Sequence, residues 1–126
     1  MKQFKIRASA CSQIMGKKGL GQTGITYCET WLKEQLYNRK KEFGNKYTQK
    51  GLIVEDNSLD YIAEQLGFGM LLKNEQYYEN EYMTGTPDVV LKNLIIDVKN
   101  SWDAFTFPLF ADEVPNDAYF YQAQCY

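Results

Sequence analysis

Two aspartates and a lysine in the stretch DVVLKNLIIDVK, residues 88–99, carry the clearest chemical pattern in the chain. Residues 88–92 and 94–99 alternate as half-buried strands do, and Lys92-Asn93 between them fits a two-residue turn. With that turn, position 91 faces 94 and 88 faces 97. Asp88 then lies directly across from Asp97, with Cβ atoms about 5 Å apart. Lys99, two residues on, projects from the same face, while Ile96 and Val98 point the other way into a core. Opposed carboxylates repel each other unless something cationic sits between them. Oxygen ligands at this spacing suit Mg²⁺, which takes one or two carboxylates and fills its other positions with water and phosphate. The alternative is a solvent-facing strand with two acids and a neutralising lysine. The turn is not Asn-Gly, so the register rests on the alternation alone.

Glu55 adds a third acid. It lies three residues after Leu52 and four before Leu59, which places it on the apolar face of a helix. A carboxylate there is costly unless a metal or a partner compensates it. A slight rotation of the helix, putting Glu55 at the edge of the stripe, is the competing reading. Asp56, Asp60 and Glu64 fall elsewhere on the helix as solvated surface.

Composition narrows the chemistry further. The 126 residues contain no histidine, which excludes Ser-His-Asp and Cys-His catalysis, histidine proton shuttles and most catalytic zinc sites. Carboxylate, lysine and bound metal remain. Three cysteines, at 11, 28 and 125, make no Cys-x-x-Cys pair, so neither a disulfide framework nor a structural zinc is expected and a reducing cytoplasm fits best. No apolar run approaches the roughly 20 residues of a membrane span, so no membrane partner is expected. Ten Tyr, seven Phe and two Trp with only three Pro argue for a folded chain, and its length suits a single domain over 1–126.

The net charge of −2 hides a division. Residues 1–50 hold 11 Lys/Arg and 3 Asp/Glu, whereas residues 51–126 hold 3 and 13. A polyanion gripped by the first half and a cation held by the second would explain it. Two solvated faces of opposite sign would as well.

These residues need elements to position them. Ser9 or Ser12 is placed to cap a short helix running to Met15. Residues 16–24 (GKKGLGQTG) read as a mobile basic loop. Gly19-x-Gly21-x-x-Gly24 fits a dinucleotide fingerprint, but no strand precedes it. Thr26-x-x-Glu29 forms a capping box for a helix to about Phe43, with Ile25, Cys28, Trp31/Leu32 and Leu36 inward and Arg39, Lys40 and Lys41 at its C-terminal end. A second helix spans about 51–66, with Leu52, Leu59, Ile62, Ala63 and Leu66 on one face and Gly67 and Gly69 stopping it. Residues 76–83 read as a Tyr-rich strand, the 88–99 hairpin follows, and 103–117 form a loop. A final helix begins near Asp117 or Ala118. The order predicts an α/β (α+β) fold with a small sheet.

Gly85-Thr86-Pro87-Asp88 followed by Asp97-Val98-Lys99 resembles the PD-(D/E)XK signature of the restriction-endonuclease-like nucleases. Lys50-Gly51-x-x-x-Glu55 looks like the helical acidic motif of the phage lambda exonuclease-like branch. Gln122-x-Gln124-x-Tyr126 is similar to the glutamine helix that follows the lysine there. Arg7-Ala-Ser9 looks like the N-terminal segment that contacts the DNA end. The four elements cover most of the chain in the expected order.

The resemblance implies a central mixed sheet flanked by helices, and hydrolysis of phosphodiesters with Mg²⁺, for which Mn²⁺ substitutes. Asp88 and Asp97 would bind the metal with the Val98 carbonyl, and Glu55 would complete or extend the site. Lys99 would orient or help deprotonate the attacking water. Gln122 and Gln124 would hold DNA or position the lysine, and Arg7, Ser9 and Thr86 would contact a terminal phosphate. Lys17, Lys18, Arg39, Lys40, Lys41 and Lys46 would grip the backbone of linear double-stranded DNA. Tyr77, Tyr78 and Tyr82 fit either base stacking or, better, core and sheet surface.

The implied setting is phage recombination or DNA processing in a bacterial host, with homo-oligomers (ring-forming trimers occur in this branch) and a single-strand annealing protein as partners. Three scattered cysteines fall short of the four needed by the related iron–sulfur nucleases of the CRISPR adaptation type. The chain ends at Tyr126 inside the glutamine helix, where relatives continue. That leaves a second reading: a nuclease-like module that binds DNA or a protein without turnover.

Overall fold

The computed structural model describes residues 2–42 and 46–126, and within the second helix the backbone alone of Lys46, Tyr47, Thr48 and Leu52. The chain packs as two compact units, one of residues 1–43, 77–85 and 112–126 and the other of residues 44–76 and 86–111. Helices and two small sheets make a mixed α/β protein. The expected central sheet is thus divided into a three-stranded sheet in the first unit and a hairpin in the second.

In the first unit β1 (Ile6–Arg7) runs parallel to β3 (Met83–Gly85), and β2 (Tyr78–Glu79) runs antiparallel to β3 on its other side. The expected single strand over 76–83 is therefore two strands. Asn80 divides them: its side-chain oxygen accepts from the Tyr82 and Met83 N–H groups, both at 2.8 Å, and folds the chain into a turn. Tyr77, Tyr78 and Tyr82 are all exposed, so none of them is core.

A 3-10 helix, Ala8–Gln13, follows β1 with Arg7 at its N-cap and no side-chain cap, so neither Ser9 nor Ser12 caps it, and it stops short of Met15. Ala8 and Ala10 of this helix are buried, as is Ile6 of β1. Helix α1 (Gln22–Tyr37) starts a turn before the expected capping box, at Gly21. The reason is Gly24, which reads as a loop glycine but is a packing glycine inside the helix. A Cβ there would lie 2.3 Å from Leu20 Cδ1 and 2.9 Å from the Gln13 carbonyl oxygen. Thr26 is consequently interior, and its carbonyl accepts from Thr30 Oγ1.

The helix ends at Tyr37, before the expected Phe43, which itself lies outside the described residues. Asn38 adopts the left-handed conformation at its end, and the Asn38 and Arg39 N–H groups bond back to Gln35 and Glu34. Arg39, Lys40 and Lys41 lie beyond the helix. The buried side also differs from the expected stripe, because Ile25, Leu32 and Leu36 are exposed. Tyr27 and Trp31 meet the Phe4 ring edge-on instead, with centroids at 6.2 and 5.2 Å. Helix α3 (Asp117–Cys125) begins where expected, capped by Asn116, whose side chain accepts from the Ala118 N–H.

In the second unit α2 (Lys46–Leu66) begins earlier than position 51. Leu59 and Ala63 are buried as the helical spacing requires, Leu66 is exposed, and the side chain of Leu52 lies outside the described residues. The core joins them to Leu71 and Val89, with Ile62, Leu91, Ile96 and Val98 packed around. Strands β4 (Val89–Leu91) and β5 (Leu94–Ile96) form the hairpin in the expected register, Val89 against Ile96 and Leu91 against Leu94. In the loop that follows, the Thr106 and Phe105 N–H groups donate to Asp103 and hold its carboxyl below the usual carboxylate range. That turn leaves the Phe105 ring in solvent.

Candidate active site

The hairpin alternates as its sequence demands. Val89, Leu91, Ile96 and Val98 face the core of the second unit, and Val90 and Ile95 face outward. One residue beyond the paired strands the same register sets Asp88 against Asp97. The Val98 N–H donates to Asp88 Oδ2 at 2.6 Å, which closes the open end of the hairpin. Lys99 Nζ lies 2.5 Å from Asp97 Oδ2, so the lysine does project on the acidic side.

Helix α2 brings the third acid. Glu55 Oε2 receives Lys73 Nζ at 2.9 Å, and the glutamate side chain is only 13% exposed. The cost of that nearly buried carboxylate is met by Lys73, a residue to which sequence reasoning assigned no role. Asn74 follows it: its backbone N–H donates to the Asp88 carbonyl at 2.7 Å, and its side-chain amide donates to the Pro87 carbonyl at 2.9 Å. The dipeptide Lys73-Asn74 therefore touches the acid of α2 with its first residue and the backbone of the first hairpin acid with its second. Farther along, α2 holds the segment after Lys99. Ser58 donates to Asn100 Oδ1 at 2.7 Å, and Lys50 donates to the Ser101 and Trp102 carbonyls while lying over the Trp102 ring.

The electrostatics follow from this crowding. Burial pushes the Asp88 carboxyl up, the Val98 N–H opposes that, and the Asp97 and Glu55 charges add to it. The hydrogen bond to Glu55 raises Lys73, against the opposing effect of burial, with Asp56 and Asp88 contributing. A hard divalent cation fits these donors in kind, since all are oxygens: the Asp88 and Asp97 carboxylates and the Val98 carbonyl. Among the described residues no three Asp, Glu or Cys side chains gather at metal-ligating spacing. Glu55, expected in the metal set, is held by Lys73 instead of joining the two aspartates as a third ligand.

The remaining expected site residues are distributed as follows. Gln122 is buried in the first unit, its amide donating to Tyr126 Oη at 2.9 Å, and Gln124 is exposed on the same helix. Arg7 is exposed and its Nε donates to Tyr27 Oη at 3.5 Å; Ser9 beside it is exposed. Lys17 and Lys18 before α1, and Arg39 and Lys40 after it, are exposed in that unit as well. Thr86 is exposed in the second unit, two residues before Asp88. Glu55, Asp88, Asp97 and Lys99 thus belong to one unit, and the two glutamines with the basic residues to the other.

A solved phage related exonuclease has this fold. That protein, from Haemophilus somnus 129PT, is 32% identical to this chain with a TM-score of 0.83. The match covers 98% of this chain and 61% of that one, so the chain spans about three fifths of the neighbour's length. No protein-family model and no curated protein matches the chain. Among the described residues, no helix is long and apolar enough to cross a membrane.

Proposed function

We propose that the chain is a metal-dependent deoxyribonuclease of the PD-(D/E)XK type, an exonuclease acting on linear double-stranded DNA. The observation that carries this reading is the juxtaposition of Asp88, Asp97 and Lys99 at the open end of one hairpin, facing Glu55 from α2. The similarity to a phage related exonuclease over nearly the whole chain supports it. Mg²⁺ or Mn²⁺ bound by Asp88, Asp97 and the Val98 carbonyl would polarise the scissile phosphate and favour an ionised nucleophile there.

The protein's own groups supply the rest. The Asp88 carboxylate is held by the Val98 N–H and its backbone carbonyl by the Asn74 N–H, which limits its conformational freedom. Lys99 Nζ, on that side, hydrogen-bonds the attacking water and stabilises negative charge developing on the phosphate oxygens. Glu55 extends the acidic site from the helix. The exposed cations Lys17, Lys18, Arg39 and Lys40 contact the DNA backbone, Arg7 and Ser9 of the same unit a terminal phosphate, and Thr86 of the second unit a phosphate beside Asp88. Exposed Gln124 serves DNA holding, and buried Gln122 supports that helix from within through Tyr126. The reading extends to phage recombination in a bacterial cytoplasm, in homo-oligomers and alongside a single-strand annealing protein. The three cysteines, all free, suit that reducing setting.

The test is degradation of 5′-labelled linear duplex DNA with Mg²⁺ or Mn²⁺. We expect metal-dependent loss of label, abolished by EDTA and lowered at least about 100-fold by Lys99→Ala. A supercoiled circle should stay intact. Intact linear DNA under every condition, with divalent cation still raising Tm, would replace this reading with that of a binding module.

A further inference from the structure

Lys73 has so far been only the ion-pair partner of Glu55, yet the chain on both sides of it is pinned. Leu71, two residues before, is buried in the core with Leu59, Ala63 and Val89. Asn74, one residue after, bonds to the Asp88 and Pro87 carbonyls and to both backbone groups of the Gln76 turn. The segment has no helix or strand of its own, and these contacts fix where Lys73 leaves the backbone. From there the ammonium reaches Glu55 Oε2 at 2.9 Å.

The pair is unequal. Glu55 is 13% exposed on a helix, whereas Lys73 is 44% exposed at the end of a flexible stem. The acid must stay where it is, but the lysine can turn its head into water at small cost. Its charge acts on Glu55, Asp56 and Asp88 together. We propose that Lys73 is a displaceable counter-ion: it neutralises Glu55 in the cation-free protein and releases that carboxylate when a divalent cation enters. It thereby sets the cation concentration at which the site fills. This rests on the reading of Asp88, Asp97 and the Val98 carbonyl as a divalent-cation site that Glu55 extends, and makes Lys73 a positioning residue that regulates it.

The test is titration of the full chain with Mn²⁺ alone, followed by calorimetry and by the rise in Tm. Lys73→Met removes the competing charge, so its Mn²⁺ midpoint should fall about fivefold, the scale of a half-exposed ion pair. Its cation-free Tm should drop, because Glu55 is left uncompensated. Lys73→Gln, which keeps a donor for Glu55 and loses only the charge, should shift the midpoint the same way with a smaller loss of Tm. Lys73→Arg should restore the original midpoint. In a Glu55→Gln background the effect of Lys73→Met should shrink. A midpoint that is unchanged or higher in both neutral variants would overturn the inference and leave a purely structural ion pair. Absence of any Mn²⁺ response in the unsubstituted protein would overturn both this inference and the divalent reading of the site.

Discussion

Asp88 is the residue at which structure and chemistry pull apart. Its folded-state pKa is raised, chiefly by burial, so its charge destabilises the fold once ionised. Stability from this group is fully present below the unfolded pKa and is lost as pH rises through the higher folded value. Asp88→Asn keeps an oxygen for the Val98 N–H but removes the charge beside Asp97 and Glu55. At neutral pH it should therefore raise Tm while eliminating DNA cleavage, and in strong acid its melting curve should coincide with that of the unsubstituted chain. A lower Tm at neutral pH would show that the hydrogen bond outweighs the buried charge. The facing of Asp88 and Asp97, with Lys99 beside them, is legible in the sequence because a two-residue turn and a period of two fix which positions face each other. Lys73 was not, because it lies 18 residues from Glu55 and beyond the end of the helix. The position of Glu55 announced that a partner was needed; no local spacing rule says which lysine a loop will deliver.

Among the elements, α1 shows how packing overrides local signals. Its sequence offers a capping box at Thr26, yet the helix starts at Gln22 because Gly24 lets it approach the Gln13 carbonyl. Helix propensity and contact then predict opposite signs for Gly24→Ala. Propensity favours alanine by roughly 1 kcal/mol. Forcing a Cβ to within 2.9 Å of a backbone oxygen and against Leu20 costs about 1–3 kcal/mol. Steric crowding should prevail, and a urea melt should find the variant less stable; a gain in stability would mean that the turn before the helix yields freely. The hairpin and α3 followed their sequences closely because each carries a short-range determinant, the Lys92-Asn93 turn in one and the Asn116 cap in the other. The Tyr-rich run did not, since one Asn80 side chain was enough to turn it back on itself.

At the scale of the whole molecule, the charge division of the sequence halves is largely evened out, because each unit draws residues from both halves, yet the proposed roles divide between the units. The basic residues proposed to grip DNA lie in the first unit and the acidic site in the second. The first should govern affinity and its salt dependence, the second turnover. Lys17→Ala, Lys18→Ala, Arg39→Ala and Lys40→Ala combined should flatten the plot of log K against log salt, by about 0.9 for each phosphate that is no longer neutralised. Lys99→Ala should leave most of that slope in place. Equal slopes for the two variants would remove those four residues from the DNA interface. The chain also holds two tryptophans, and each unit has one. Trp31 stacks edge-on against Phe4 in the first, and Trp102 lies beneath the Lys50 ammonium in the second. The protein therefore comes with a built-in fluorophore for each unit: emission from a Trp31→Phe chain reports the second unit alone, and emission from a Trp102→Phe chain the first unit alone.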